Sequence, residues 1–385
     1  MTSRPESSES PELPELSKQP GSSTPLASAT PRRALVVGTG LIGGSIALGL
    51  RQQGWHVSGL ESDPVRAQDA LRSGVVDALG DDVDAEVVFI ATHAGAVAEL
   101  ARGFLADPRR RPDAVVSDVS GVKSAIVAAA DHARFIGGHP MAGSEQNGLT
   151  GADPHLFAGA VWVLTPTTAT DLASFERLKG AVISLGADVL VLSAADHDRL
   201  VAVVSHVPHL VAATLMNAAS AGAEHDGALL RLAAGGFRDM TRVAAGHPGI
   251  WPDICAENAP AIVGALDALL FDLSTLRERV AGHDRAALLK TLESASAARR
   301  TLPARASRPD HLSELRIPVP DRAGVLAEIT SLAADAGIGI FDIEIAHSAE
   351  GPRGVLILVV DRSDATALTE AVEGRGYRCR TGELS

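Results

Sequence analysis

Two glycine-bearing stretches carry residues able to hold or move charge. In "GTGLIGGS", Gly38, Gly40 and Gly43 stand in the G-x-G-x-x-G spacing, with Leu41 and Ile42 between the last two. The first glycine allows a tight turn and the second lets backbone approach a pyrophosphate. The third lets strand and helix pack closely, so the phosphates rest on a helix N-terminus. Glu61 follows about twenty residues on, where a carboxylate would hydrogen-bond a ribose 2′-hydroxyl and repel a 2′-phosphate, which favours NAD over NADP. Arg66 lies a turn further and weakens that preference. The plain alternatives are a ligand-free turn and a solvent-facing glutamate. In "GGHPMAGSEQNG", His139 sits between the pair Gly137–Gly138 and Pro140, on backbone expected to be irregular, with Gly137 and Gly138 letting the chain pass close to a cofactor. Histidine titrates near neutrality and is the usual partner for the proton of an alcohol undergoing hydride transfer. A histidine satisfied by local backbone is the competing reading.

Two further clusters follow. "SHVPH" puts His206 and His209 on one face of a helix. The pair lacks a third ligand at zinc spacing, so core histidines outweigh a metal site, and no metal is expected. "GGFRDMTRVAAGHPGIW" offers Arg238, Asp239, Arg242 and Trp251. An arginine in an apolar helical layer must pair with Asp239, with Glu257 or with a carboxylate ligand.

These residues need elements to position them. Apolar runs at Ala34–Val37, His56–Asp63, Ala85–His93, Asp113–Ser120, Arg134–Pro140, Ala160–Pro166 and Ala187–Ser193 alternate with helical sequence. That predicts a Rossmann-type, doubly wound α/β domain with a parallel sheet over residues 32–193. From Ala194 to Arg300 strand signals vanish, and long Ala/Leu/Val segments predict an all-α dimerisation domain. A buried helix is expected over Arg199–Ser220, and two more joined near Gly282. Residues 301–311 read as a Pro/Arg-rich linker. Residues 312–385 follow the order βαββαβ, the ferredoxin-like plan. The Ser/Pro/Glu-rich residues 1–31 read as a disordered tail without a signal peptide.

The chain has 385 residues, 46% hydrophobic but only 3% aromatic, so its cores must be aliphatic. A net charge of −13 argues against nucleic acid and anionic membranes. Two distant cysteines, Cys255 and Cys379, imply a reducing compartment, and no apolar run looks long enough to span a bilayer. A cytoplasmic location is expected.

Taken together, "VVGTGLIGGS", "GGHPMAGSE", "SHVPH" and "GGFRDMTR" followed by "IWPDICAEN" resemble the prephenate/arogenate dehydrogenase family over about Arg33–Arg300. The resemblance implies NAD-dependent oxidative decarboxylation of a cyclohexadienol. His139 would take the ring hydroxyl's proton as catalytic base. His209, a second catalytic candidate, would help hold substrate, and Arg242 would bind a substrate carboxylate. Ser144 and Glu145 match residues near the substrate's side-chain end. The family reads D-x-G-S-V-K where this chain has "SDVSGVKS", so the family's serine aligns with Gly121 and Ser120 substitutes only if the loop shifts. Arg238 replaces a lysine of some members, and His93 a common proline. Arogenate as substrate would call for an acidic amine partner, for which Glu145 and Asp198 are candidates. A catalytically silent NAD- and amino-acid-sensing regulator is the reading from another class. A β-hydroxyacid dehydrogenase is remote, for the helix with its catalytic lysine is missing. The last segment resembles an ACT domain, with Asp321 and Gly324 nearest an amino-acid effector, tyrosine being the natural one. A homodimer is expected.

Overall fold

The computed structural model describes residues 31–143, 148–224, 226–246, 248–301, 312–320, 322, 324–347 and 353–383. Ser144, Glu145, Asp321, nearly all of the 1–31 tail and most of the 301–311 linker lie outside the described residues. Eight strands make one sheet: β1 (Arg33–Val37), β2 (His56–Leu60), β3 (Ala78–Leu79), β4 (Val87–Ile90), β5 (Val115–Asp118), β6 (Phe135–Pro140), β7 (Val161–Thr165) and β8 (Asp188–Val191). Their order is β3-β2-β1-β4-β5-β6-β7-β8. Helices α1 (Leu41–Gln52), α2 (Pro64–Arg72), α3 (Ala94–Ala106), α4 (Ser124–Ala130) and α5 (Leu172–Ser184) connect them. Continuous aliphatic runs such as Val87–Ile90, buried at every position, suit a sheet covered on both faces. Two apolar clusters flank it, one around Ile46, Phe157 and Trp162, the other around Ile90, Val97 and Ile126.

The all-parallel expectation fails at one place: β6 and β7 pair antiparallel, His139 opposite Val163 and Pro140 opposite Trp162. His139 therefore sits in a regular strand, not on irregular backbone. Strand direction is invisible in a hydrophobic pattern, since buried strands look alike whichever way they run. The glycine pair also has another cause. A Cβ at Gly137 would stand 2.4 Å from Thr165 Oγ1, and one at Gly138 2.6 Å from the Asp118 carbonyl, so neighbouring strands demand these glycines, not a cofactor.

The helical region comprises α6 (Ala194–Val201), α7 (Val207–Ala223), α8 (Gly235–Thr241), α9 (Trp251–Glu257), α10 (Ala259–Ala281) and α11 (Arg285–Arg300), with a break near Gly282. Ser193 caps α6 through the Asp196 amide. The helix predicted over Arg199–Ser220 is longer: α6, a π-helical turn at Ala202–His206 and α7 run on from Ala194 to Ala223. Pro208 accounts for the wide turn, because it cannot donate to the preceding turn and its ring presses on that carbonyl. This helix and α10, each with mean hydropathy 1.5, are long and apolar enough to cross a membrane by length and composition, contrary to the sequence expectation. The first, however, carries the buried polar side chains His197, Asp198 and His206, all bonded within the protein. Nor is it buried all round, since Val203 and Val204 are exposed, as are Leu270 and Phe271 on α10.

Toward the C-terminus come β9 (Leu312–Pro320), α12 (Val325–Asp335), β10 (Ile340–His347), β11 (Arg353–Asp361), α13 (Ala365–Gly374) and β12 (Arg380–Glu383). The strands form an antiparallel sheet in the order β10-β11-β9-β12, over a core that includes Leu315, Ile329, Leu358 and Leu368.

Candidate active site

The turn from β1 into α1 assigns its glycines three different tasks. Gly38 has φ +89°, a left-handed conformation, and a Cβ there would meet the Ala91 carbonyl at 2.5 Å. At Gly43 a Cβ would stand 1.9 Å from the Gly38 carbonyl, so close packing forbids one. Among the described residues nothing lies within 4 Å of a Cβ at Gly40, which N-caps α1 without a side-chain bond, so the helix N-terminus lies open to them there. Leu41 and Ile42 begin the helix, both half-buried.

A cavity of about 620 Å³ adjoins this turn, lined by Gly38, Gly40, Glu61, Arg66, Thr92 and His93 among others. Glu61 accepts from the Thr39 amide at 3.1 Å, the Thr39 hydroxyl at 3.2 Å and the Asp63 amide at 3.2 Å, and Arg66 approaches it at 3.5 Å. Burial pushes this carboxyl up, but the two amides and Arg66 outweigh it and hold it below the ordinary value. An ionised glutamate on the cavity wall fits a ribose diol. The open Gly40 fits a pyrophosphate. Together they suit a dinucleotide.

His139 stands at the carboxyl edge of the same sheet. Its Nδ1 lies 2.8 Å from His197 Nε2, and His197 Nδ1 lies 2.8 Å from Asp198 Oδ1. Asp198 also accepts the Lys123 and Ser124 amides, each at 2.8 Å. Burial opposes its charge, yet these bonds draw its carboxyl down to about 2. Asp198 is thus committed to the protein's own donors and is no partner for a substrate amine. Lys123, wholly buried, pairs with buried Asp118, which also accepts the Ser120 amide at 2.9 Å and the Gly138 amide at 3.1 Å. Burial lowers the Lys123 ammonium and Asp118 opposes that. Burial, then the charge of Lys123, hold His139 well below the usual histidine range, against the pull of Asp198. It is therefore neutral at neutral pH.

A Cβ at Gly121 would stand 3.8 Å from His139 Nε2, so Gly121 is the residue facing the ring. The Ser120 hydroxyl is buried with no hydrogen-bond partner among the described residues. His209 stacks on Trp251, ring centroids 3.7 Å apart, and burial lowers its pKa; His206 meets the same indole edge-on. Asn258 Nδ2 reaches the Asp198 carbonyl at 2.8 Å and His206 Nδ1 at 3.2 Å. Arg242 is exposed and opens the turn Arg242–Ala245, which packs on α7, while Arg238 donates to the Ala233 carbonyl instead of to Asp239 or Glu257. Gly324, at φ +88°, begins α12. Among the described residues no group of three metal-ligating side chains gathers.

Sequence reasoning missed His197, Lys123 and Asn258, and misassigned Asp198. The available signal was polar residues, "DHD" and "VKS", set beside aliphatic runs that must be buried.

A glycine-rich turn opening a helix, an acid closing the next strand and an imidazole at the same sheet edge define a dinucleotide-dependent dehydrogenase. The chain belongs to the prephenate dehydrogenase family. The family's nucleotide-binding domain matches residues 46–191 and its dimerization domain residues 193–294. A prephenate dehydrogenase of Bacillus subtilis (strain 168) is 33% identical over 343 residues, 86% of this chain and 92% of that one. The crystal structure of prephenate dehydrogenase from Aquifex aeolicus in complex with hydroxyphenyl propionate and NAD⁺ superposes with a TM-score of 0.66 at 29% identity, covering 71% of this chain and 99% of that one. That of Synechocystis arogenate dehydrogenase gives 0.62 at 33% identity, covering 69% and 98%.

Proposed function

We propose that the protein is an NAD-dependent prephenate dehydrogenase that converts prephenate to 4-hydroxyphenylpyruvate and CO₂ in tyrosine biosynthesis. The observation that carries this is His139, neutral and beside Gly121, on the sheet edge that also bears the Gly38–Gly43 turn and Glu61. The Aquifex complex with NAD⁺ and a hydroxyphenyl acid supports it. Gly38, Gly40, Leu41, Ile42 and Gly43 would hold the pyrophosphate and Glu61 the adenosine ribose, and bound NAD⁺ supplies the hydride acceptor. His139 accepts the proton of the ring hydroxyl as the carbinol carbon is oxidised. Loss of the ring carboxylate as CO₂ makes the ring aromatic, and the proton returns to the phenolate oxygen, so none is released. Aromatisation drives the step, leaving the protein mainly to orient its reactants. His209, Arg242 and Ser120 are assigned to substrate. A buried hydroxyl without a partner among the described residues, as in Ser120, suits a polar ligand group. Ser144 and Glu145 keep their assignment to its side-chain end.

Arogenate is the second reading, favoured by the likeness to the Synechocystis enzyme. With Asp198 committed elsewhere, Glu145 is the remaining acid proposed for its amine. We further propose that residues 312–385 form a ferredoxin-like ACT domain binding tyrosine near Asp321 and Gly324, that the enzyme is a homodimer, and that it works in the cytoplasm.

The test is NADH formation with prephenate or arogenate as substrate. Turnover should vanish in His139→Ala while NAD⁺ binding survives. Silence with both substrates, and with NADP⁺, would overturn the enzyme reading and favour the sensor. Tyrosine should inhibit the full chain but not one ending at Pro309.

A further inference from the structure

The bonds around His139 decide which of its nitrogens is free. Asp198 faces two backbone amides, Lys123 at Oδ1 and Ser124 at Oδ2, and amides only donate. Its oxygens are therefore acceptors, and the ring nitrogen 2.8 Å from Oδ1 must carry a proton. His197 is then Nδ1–H, and as a neutral ring its Nε2 is a bare lone pair. That lone pair lies 2.8 Å from His139 Nδ1, which must donate to it. His139 Nε2 is left unprotonated, on the side of the ring that faces Gly121.

We propose that Asp198 and His197 form a relay that fixes His139 in its Nδ1–H tautomer and so makes Nε2 the proton acceptor, both being positioning residues. The relay is built into the fold. His197 is fully buried, Asp198 nearly so, and Asn258 ties the Asp198 carbonyl to His206. Because that carbonyl can only accept, the Asn258 group facing it is the amide NH₂; its other hydrogen goes to His206 Nδ1, making His206 a neutral Nε2–H ring. Lys123, Asp118, His206 and Glu257 are the other charged or titratable groups around the relay. The opposite arrangement would need a His197 imidazolium donating to both sides, a charge within a wholly enclosed site. A neutral relay buries only the Asp198 charge, which already has three N–H donors. The same logic operates wherever a buried aspartate sets a catalytic imidazole's tautomer.

The kinetic arm rests on the dehydrogenase reading, but the primary measurement does not. In the full chain with NAD⁺, labelled at histidine with ¹⁵N, long-range imidazole spectra should show His139 protonated at Nδ1 and bare at Nε2, the signals being assigned by their loss in His139→Ala. A His139 protonated at Nε2, or a His197 imidazolium, would overturn the relay even if the protein turned over nothing. In kinetics, His197→Leu removes the acceptor, and kcat should fall about 10²-fold while KM and the NAD⁺ Kd hold within about threefold. His197→Gln offers a carbonyl to the Nδ1–H and should recover most of kcat. Equal losses in both variants would mean His197 merely fills space, and the proposal would fail.

Discussion

Lys123→Met tests the buried charge pair beneath the site. Lys123 and Asp118 are both fully buried, and among the described residues the Asp118 carboxylate would keep the Ser120 and Gly138 amides once the ammonium is gone. Removing one partner of a buried pair leaves an uncompensated charge, which typically costs about 3–5 kcal/mol. Urea unfolding followed by tryptophan fluorescence suits the measurement, because Trp162 lies on β7, opposite Pro140. The loss should also reach the chemistry. After burial, the Lys123 charge is the next cause holding His139 down. Without it the imidazole titrates nearer its ordinary value, and the acid limb of kcat/KM moves to higher pH. Lys123→Gln retains a donor but no charge, so it should lose less stability while moving the acid limb the same way. A loss under about 1 kcal/mol for Lys123→Met with an unmoved acid limb would refute the argument.

Gly40→Ala should leave unfolding unchanged, since no described residue lies within 4 Å, yet weaken NAD⁺ binding measured by calorimetry; Gly43→Ala, with its 1.9 Å clash, should lower both. Glu61→Ala removes a charged ribose acceptor and should weaken NAD⁺ by about 1.5–3 kcal/mol while improving relative use of NADP⁺, which Arg66 then faces, as kcat/KM for each cofactor will show. His139 titrates lower folded than unfolded, so its neutral form contributes stability in full above about 6.5 that is lost as pH falls toward the folded value. Asp198, drawn from 3.8 to about 2, contributes stability above about 4 that is lost as pH falls through 2. Urea midpoints measured across acid pH should therefore decline in two stages, and His139→Gln should shrink the upper one, to which buried His206 and half-buried His209 also contribute.

The parts of this protein that chemistry writes locally were readable. The Gly38–Gly43 turn and Glu61 lie within one β–α–β unit, and His139 stands in a stretch whose composition is conspicuous. Strand positions came within a few residues because buried strands are continuous aliphatic runs, though two-residue β3 left no trace. What could not be read depends on folding distant chain together. His197 meets His139 across 58 residues, and Asp198 meets Lys123 across 75. Nothing local distinguishes such an aspartate from one facing solvent, which is how Asp198 came to be offered to a substrate amine. The reversal of β7 escaped for a related reason: pairing direction is set by the connection and by what it packs on. Ser120 against Gly121 was a question of which residue faces a ring, and alignment alone does not answer that.

The long helix from Ala194 bears on how such enzymes could be recombined. It begins just beyond the nucleotide-binding region, yet its first turn supplies His197 and Asp198, which brace a histidine in that region and clasp the start of α4. The same rod carries His209 twelve residues on, about 18 Å along the axis. A chimera joined at Ser193 would pair one parent's base with the other parent's brace. A functional boundary therefore falls after the π-turn, past His206, or the first helical turn must travel with the sheet.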